Sequence, residues 1–115
     1  MKDVVIDSNK ANEYRELKGG TNELLIRLLE KYISTAEDYI SKAKISFSEK
    51  DHKTLYHIIH NLKGSSLTMG LLQMSEILVE LETQIKQNNF ENFESMLQEL
   101  QEKLIFVREY FATLS

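Results

Sequence analysis

The stretch HKTLYHIIHNLKGSSLTMG, residues 52–70, decides how the whole chain is read. On a helical wheel with His60 at the origin and about 100° per residue, Leu55, Ile58, Ile59, Leu62 and Met69 fall within one arc of roughly 160–260°. That arc is the apolar stripe of an amphipathic helix, and His60 lies almost opposite its centre. Asp51 is placed to cap the start of this helix, and Gly70 stands where a glycine would end it. The exposed face then carries His60 with Lys53, Tyr56, His57, Lys63, Gly64 and Leu67.

Three features set that face apart. It holds no acid, although the chain has 18 acids against 14 bases. A histidine beside a lysine and away from carboxylates tolerates added negative charge. The face also holds Gly64 in a helix interior, where glycine costs about 1 kcal/mol relative to alanine. One turn from His60, the missing side chain opens a path to the imidazole. Finally, Tyr56 and Leu67 flank that opening with apolar surface, which suits a docking patch. A neutral imidazole, with an unperturbed pKa of about 6.5, is a nucleophile near neutral pH. Attack on a phosphoryl group would give a phosphohistidine, with Lys63 as a point charge for its oxygens. The sequence has no evident glycine-rich phosphate loop and no evident carboxylate cluster for Mg²⁺. Metal and transition-state stabilisation are therefore expected from a partner.

Outward from this helix, the same period recurs. Residues 22–44 form a predicted helix through Leu25, Leu28, Leu29, Tyr32, Ala36, Tyr39, Ile40 and Ala43, with Thr21 as its cap. A polar connection around Phe47 is expected over 46–50. A helix over 72–86 aligns Met74, Leu78, Leu81 and Ile85. Asn88-Asn89 punctuates, and a last helix over 90–112 carries Phe93, Leu97, Leu100, Leu104, Val107 and Phe111. Before the Gly19-Gly20 break, a short helix over 8–18 is capped by Asp7 or Ser8 and has a thin apolar face, Tyr14 and Leu17. No useful length alternates with period two. Four amphipathic helices with short connections cannot bury their stripes singly. The expected fold is all-α: one domain over 1–115, an antiparallel up-down-up-down four-helix bundle with a short extra N-terminal helix.

Composition narrows the function. Hydrophobic residues make up 42% of the chain, enough for one core, and the absence of proline favours long helices. The absence of cysteine removes thiolate chemistry. A net charge of −4 with no basic block argues against nucleic acid as a partner. No apolar run approaches the roughly 18 residues that cross a bilayer, and MKDVVIDSNK at the N-terminus lacks an apolar signal segment. A cytoplasmic, monomeric protein without membrane contact is expected.

The segment His60-Asn61-Leu62-Lys63-Gly64-Ser65-Ser66, followed by Gly70, resembles the signature of histidine-containing phosphotransfer (HPt) domains. That pattern has an acceptor histidine, a lysine three residues on, a glycine four on, small residues next and a second glycine ten on. Upstream, Leu17-Lys18-Gly19-Gly20 before a Leu-rich helix resembles the usual entry to the domain; downstream, Leu81-Glu82 resembles its fourth-helix ending. The resemblance implies a four-helix bundle with a short N-terminal helix, and passage of a phosphoryl group between receiver-domain aspartates. His60 would be the acceptor, Lys63 its electrostatic partner and Gly64 the access point. Glu82 falls where many family members place a polar side chain near the imidazole, where a carboxylate would orient the ring but repel a phosphoryl group held too close. The implied partners are receiver domains of a hybrid sensor histidine kinase and of a response regulator. Mg²⁺ is expected on the receiver, with no cofactor on this chain.

Other readings stay open at this level. A helical adaptor would use the Tyr56/Leu67 patch, with Lys53 and His57 beside it, and leave His60 idle. A metal site on His57 and His60 lacks a third ligand or nearby acid and is disfavoured. Ser65 and Ser66, on the shoulders of the buried arc, read as small residues that let helices approach. Tyr32, Tyr39, Met74 and Met96 read as packing residues, and His52 and His57 as solvated. A free-standing carrier and a domain of a larger kinase would look alike.

Overall fold

A computed structural model describes residues 5–114; residues 1–4 and 115, the extremes of the expected domain and part of the stretch read for a signal segment, lie outside the described residues. Among the described residues the regular structure is all helical: α1 Ser8–Glu16, α2 Glu23–Ser48, α3 His52–Met69, α4 Leu72–Lys86 and α5 Phe93–Ala112. α2 packs on α3 and α5, and α4 packs on the same two helices, which closes a four-helix ring; α1 lies against α2. No helix among the described residues is long and apolar enough to cross a membrane.

Each of α2 to α5 buries most of the stripe that its period laid out, with Leu28, Tyr39 and Phe111 only half-buried. Leu25, Leu29, Tyr32, Ala36, Ile40 and Ala43 of α2 meet Leu55, Ile59, Leu62 and Met69 of α3, Met74, Leu78, Leu81 and Ile85 of α4, and Leu97, Leu100, Leu104 and Val107 of α5. Ile58, from the edge of the α3 arc, is only half-buried. The moment of each helix therefore converges on one core, and the polar faces are left outside.

The structure differs from the pattern reading at four places. α2 does not stop at Lys44 but runs another turn. Ser46 is buried, and the Phe47 ring stacks on Phe93 with centroids 4.3 Å apart, so this turn has its own packing partner on α5. It closes where Asp51 N–H donates to the Ser46 carbonyl at 2.9 Å, with Lys50 at φ 58°. α5 begins at Phe93 rather than Phe90, and Phe90 instead stacks on His52 at 4.1 Å. His52 is thus packed against a ring and not simply solvated. In α1, Asp7 is the cap and accepts from Asn9 N–H, but Leu17 is 71% exposed and the buried residue is Ala11. The start of α2 has no side-chain cap at its N-cap Asn22; Thr21 Oγ1 accepts from Glu23 N–H at a long 3.4 Å.

The α3–α4 corner anchors the N-terminal segment. Gly70 takes φ 71°, left-handed backbone that a side chain resists. Leu71 N–H donates to the Ser66 carbonyl at 2.9 Å, and the Gly70 carbonyl accepts from Asp7 N–H at 2.7 Å. A Cβ on Gly70 would meet Lys10 Cγ at 2.8 Å. The corner therefore accepts only a bare backbone from both sides. Tyr14 of α1 adds a hydrogen bond from its hydroxyl to the Thr68 carbonyl at 2.9 Å.

Candidate functional site

His60 sits midway along α3 with its side chain 50% exposed, because the stripe of Leu55, Ile59 and Leu62 turns the other side of the helix inward. The face is acid-free only for α3 taken by itself. Packing of α4 brings Glu82 against it, and the Glu82 side chain is only 7% exposed. Its Oε2 lies 3.0 Å from His60 Nδ1. Lys63 Nζ straddles the same carboxylate, 3.1 Å from Oε1 and 3.0 Å from Oε2. Lys86 Nζ, one turn after Glu82 on α4, reaches Oε1 at 3.3 Å.

A buried carboxylate is stable only when its charge is answered. Burial by itself would raise the Glu82 carboxyl, but hydrogen bonds from Lys63, His60 and Lys86 outweigh it and hold the group at about 2. Glu82 is therefore ionised near neutral pH and can only accept. In neutral His60 the proton then belongs on Nδ1, and the lone pair falls on Nε2. This tautomer follows from the hydrogen-bond network. Among the described residues Nε2 has no hydrogen-bond partner. The Tyr56 ring stacks on the His60 ring at 5.7 Å and 17° and is itself half-buried, which fixes the imidazole from one side.

The other side is open. An open groove of about 570 Å³ between α2 and α3 is lined by Lys31, Tyr32, Thr35, His60, Gly64 and Ser65, among others. A Cβ on Gly64 would meet nothing within 4 Å. No internal contact therefore requires glycine there, and the position borders open space. Beneath the groove, Ser66 Oγ donates to the Leu62 carbonyl at 2.8 Å, so its proton is used. The Tyr32 hydroxyl, 2.6 Å from Ser66 Oγ, is then the donor in that pair. Burial pushes the Tyr32 phenol well above its ordinary value and keeps it protonated.

The residues singled out in the sequence are distributed as follows. His60, Lys63 and Glu82 form one contact cluster, with Gly64 on the adjoining groove wall. Lys63 is held by Glu82 and is not free beside the imidazole. Lys53, His57 and Leu67 are exposed along α3, Leu67 at 52%. His57 lines a second groove with Tyr39 and Ile45. Ser66 is buried as a small packing residue, but Ser65 is exposed and borders the open groove. Among the described residues no group of three or more His, Cys, Asp or Glu could hold a metal ion. The pattern reading missed Lys86. Its four-residue spacing from Glu82 was visible, but only the approach of α4 to His60 gives that spacing a meaning.

Comparison with known proteins shows the family and the fold. A family model described as the Hpt domain matches residues 27–109. The phosphorelay intermediate protein rdeA of Dictyostelium discoideum is 32% identical over 96 residues, which cover 84% of this chain. The chain spans only 37% of the length of that relative. The crystal structure of histidine-containing phosphotransfer protein B (HptB) from Pseudomonas aeruginosa PAO1 is similar with a TM-score of 0.86. That match covers 96% of this chain and 94% of the other at 18% identity, a likeness of fold.

Proposed function

The chain belongs to the Hpt-domain family, and from that premise we propose that it is a phosphorelay carrier in which His60 takes a phosphoryl group from an aspartate of one receiver domain and passes it to an aspartate of another. The observation that carries this reading is the inequality of the two ring nitrogens: Nδ1 bonded to a buried carboxylate, Nε2 unpartnered on a half-exposed ring.

The transfer needs no proton to move. The Nε2 lone pair forms the N–P bond while the aspartyl O–P bond breaks, and the carboxylate leaves. The Nδ1 proton stays in its hydrogen bond, so the phosphorylated ring is an imidazolium that faces the Glu82 charge. On onward transfer the leaving group is a neutral imidazole. Lys63 supplies positive charge for the phosphoryl oxygens, and Gly64 leaves room for the receiver loop that carries the aspartate. Lys53, Tyr56, His57 and Leu67 border the docking surface. The chain itself is a carrier and relies on its receivers for Mg²⁺ and transition-state stabilisation. The receivers of a hybrid sensor histidine kinase and of a response regulator fit the two ends of such a relay, with the carrier a cytoplasmic monomer between them.

Incubation with a phosphorylated receiver domain should place acid-labile, alkali-stable label on the wild-type chain and none on His60→Gln. Label on His60→Gln would overturn the assignment.

A further inference from the structure

The resting site spends its cations on Glu82. Lys63 contacts both carboxylate oxygens, and Glu82 in turn holds Nδ1, the ring nitrogen away from the one that would carry phosphorus. Nδ1 and Nε2 point to different sides of an imidazole. For Lys63 to neutralise phosphoryl oxygens on Nε2, its ammonium must shift off the carboxylate. A buried carboxylate that loses its cation is strongly destabilised. Lys86 is already in place: its Nζ is 3.3 Å from Oε1, and its side chain is 58% exposed, so it can move inward without disturbing the core. It also lies 5.7 Å from the centroid of the Tyr56 ring that stacks on His60.

We infer that Lys86 is a positioning residue that takes over the charge of Glu82 when Lys63 turns to the phosphoryl group. This rests on the carrier reading of His60. The formal charges make the exchange reasonable. With neutral His60, the cluster of Glu82, Lys63 and Lys86 has one cation in excess. A phosphoryl group on Nε2 adds two negative charges to a ring that becomes positive. Two lysines then serve two anionic groups, one each. With Lys86 removed, one ammonium remains for both beside the imidazolium that faces Glu82, and the phosphorylated state loses a charge-assisted contact. Such a contact corresponds to roughly ten-fold in an equilibrium.

The test needs no partner protein. The full chain is phosphorylated with phosphoramidate, and phosphohistidine is followed by phosphorus NMR, with nitrogen-edited spectra of the imidazole to locate it. Wild type should label at Nε2 of His60. Lys86→Gln should lose its label about ten-fold faster, and Lys86→Arg should stay within about two-fold of wild type. In a Glu82→Gln background, Lys86→Gln should have little further effect, because the charge it answers is gone. Failure of wild type to label on His60 would overturn the carrier reading and this inference with it. A labelled wild type with an unaffected Lys86→Gln would overturn the inference alone. So would a Lys86→Gln deficit that persists in full beside Glu82→Gln, since Lys86 would then act on something other than Glu82.

Discussion

His60 Nδ1 and Glu82 Oε2, 22 positions apart in the chain, lie 3.0 Å apart across the α3–α4 interface. This contact joins the proposed acceptor histidine to the only buried carboxylate among the described residues. It sets which ring nitrogen is free, and it ties the stability of the bundle to the same charge that prepares the site.

The first consequence is a pH dependence. The folded pKa of Glu82, about 2, lies below its ordinary value of 4.5. Its stabilisation is therefore fully present above about pH 4.5 and is lost as pH falls toward 2, on the order of 3 kcal/mol by linkage. Glu82→Gln has no such titration. Urea unfolding at about pH 6 and about pH 2.5 should show the two proteins converging in stability by that amount. Parallel profiles would mean that the carboxylate is not held ionised by Lys63, His60 and Lys86.

Gly64 separates stability from function. Its Cβ position is empty, so Gly64→Ala should raise stability by roughly 0.5–1 kcal/mol through helix propensity. The same methyl group stands on the groove wall beside His60, so on the carrier reading phosphoryl transfer from a receiver should slow. Thermal unfolding and transfer kinetics on one preparation check both halves. A variant that is more stable and transfers at the wild-type rate would remove Gly64 from the access route.

The Tyr32–Ser66 pair predicts an asymmetry. Ser66→Ala leaves the buried Tyr32 hydroxyl without its acceptor and should cost about 1–3 kcal/mol. Tyr32→Phe removes the donor, while Ser66 keeps its bond to the Leu62 carbonyl, so its cost should be smaller. The double variant should be no worse than Ser66→Ala alone. Equal costs for the two single variants would mean that the hydroxyl proton runs the other way.

What the chain determines by itself is its local order. Helical period, the Asp51 cap and Gly70 were enough for an all-α chain with His60 opposite a buried stripe, because each of these signals spans a few residues of one helix. The last turn of α2 is not legible in the sequence because Ser46 is polar and Phe47 looks isolated until Phe93 of α5 stacks on its ring. The polar side of the site was decided the same way. The α3 face has no acid in sequence, yet it acquires one when α4 docks, and Lys63 and Lys86 become partners of one carboxylate although they lie on different helices. A helical wheel reports directions around one axis. Only the packing of two axes determines which directions meet, and the tautomer of His60 and the cations around Glu82 both arise from that meeting.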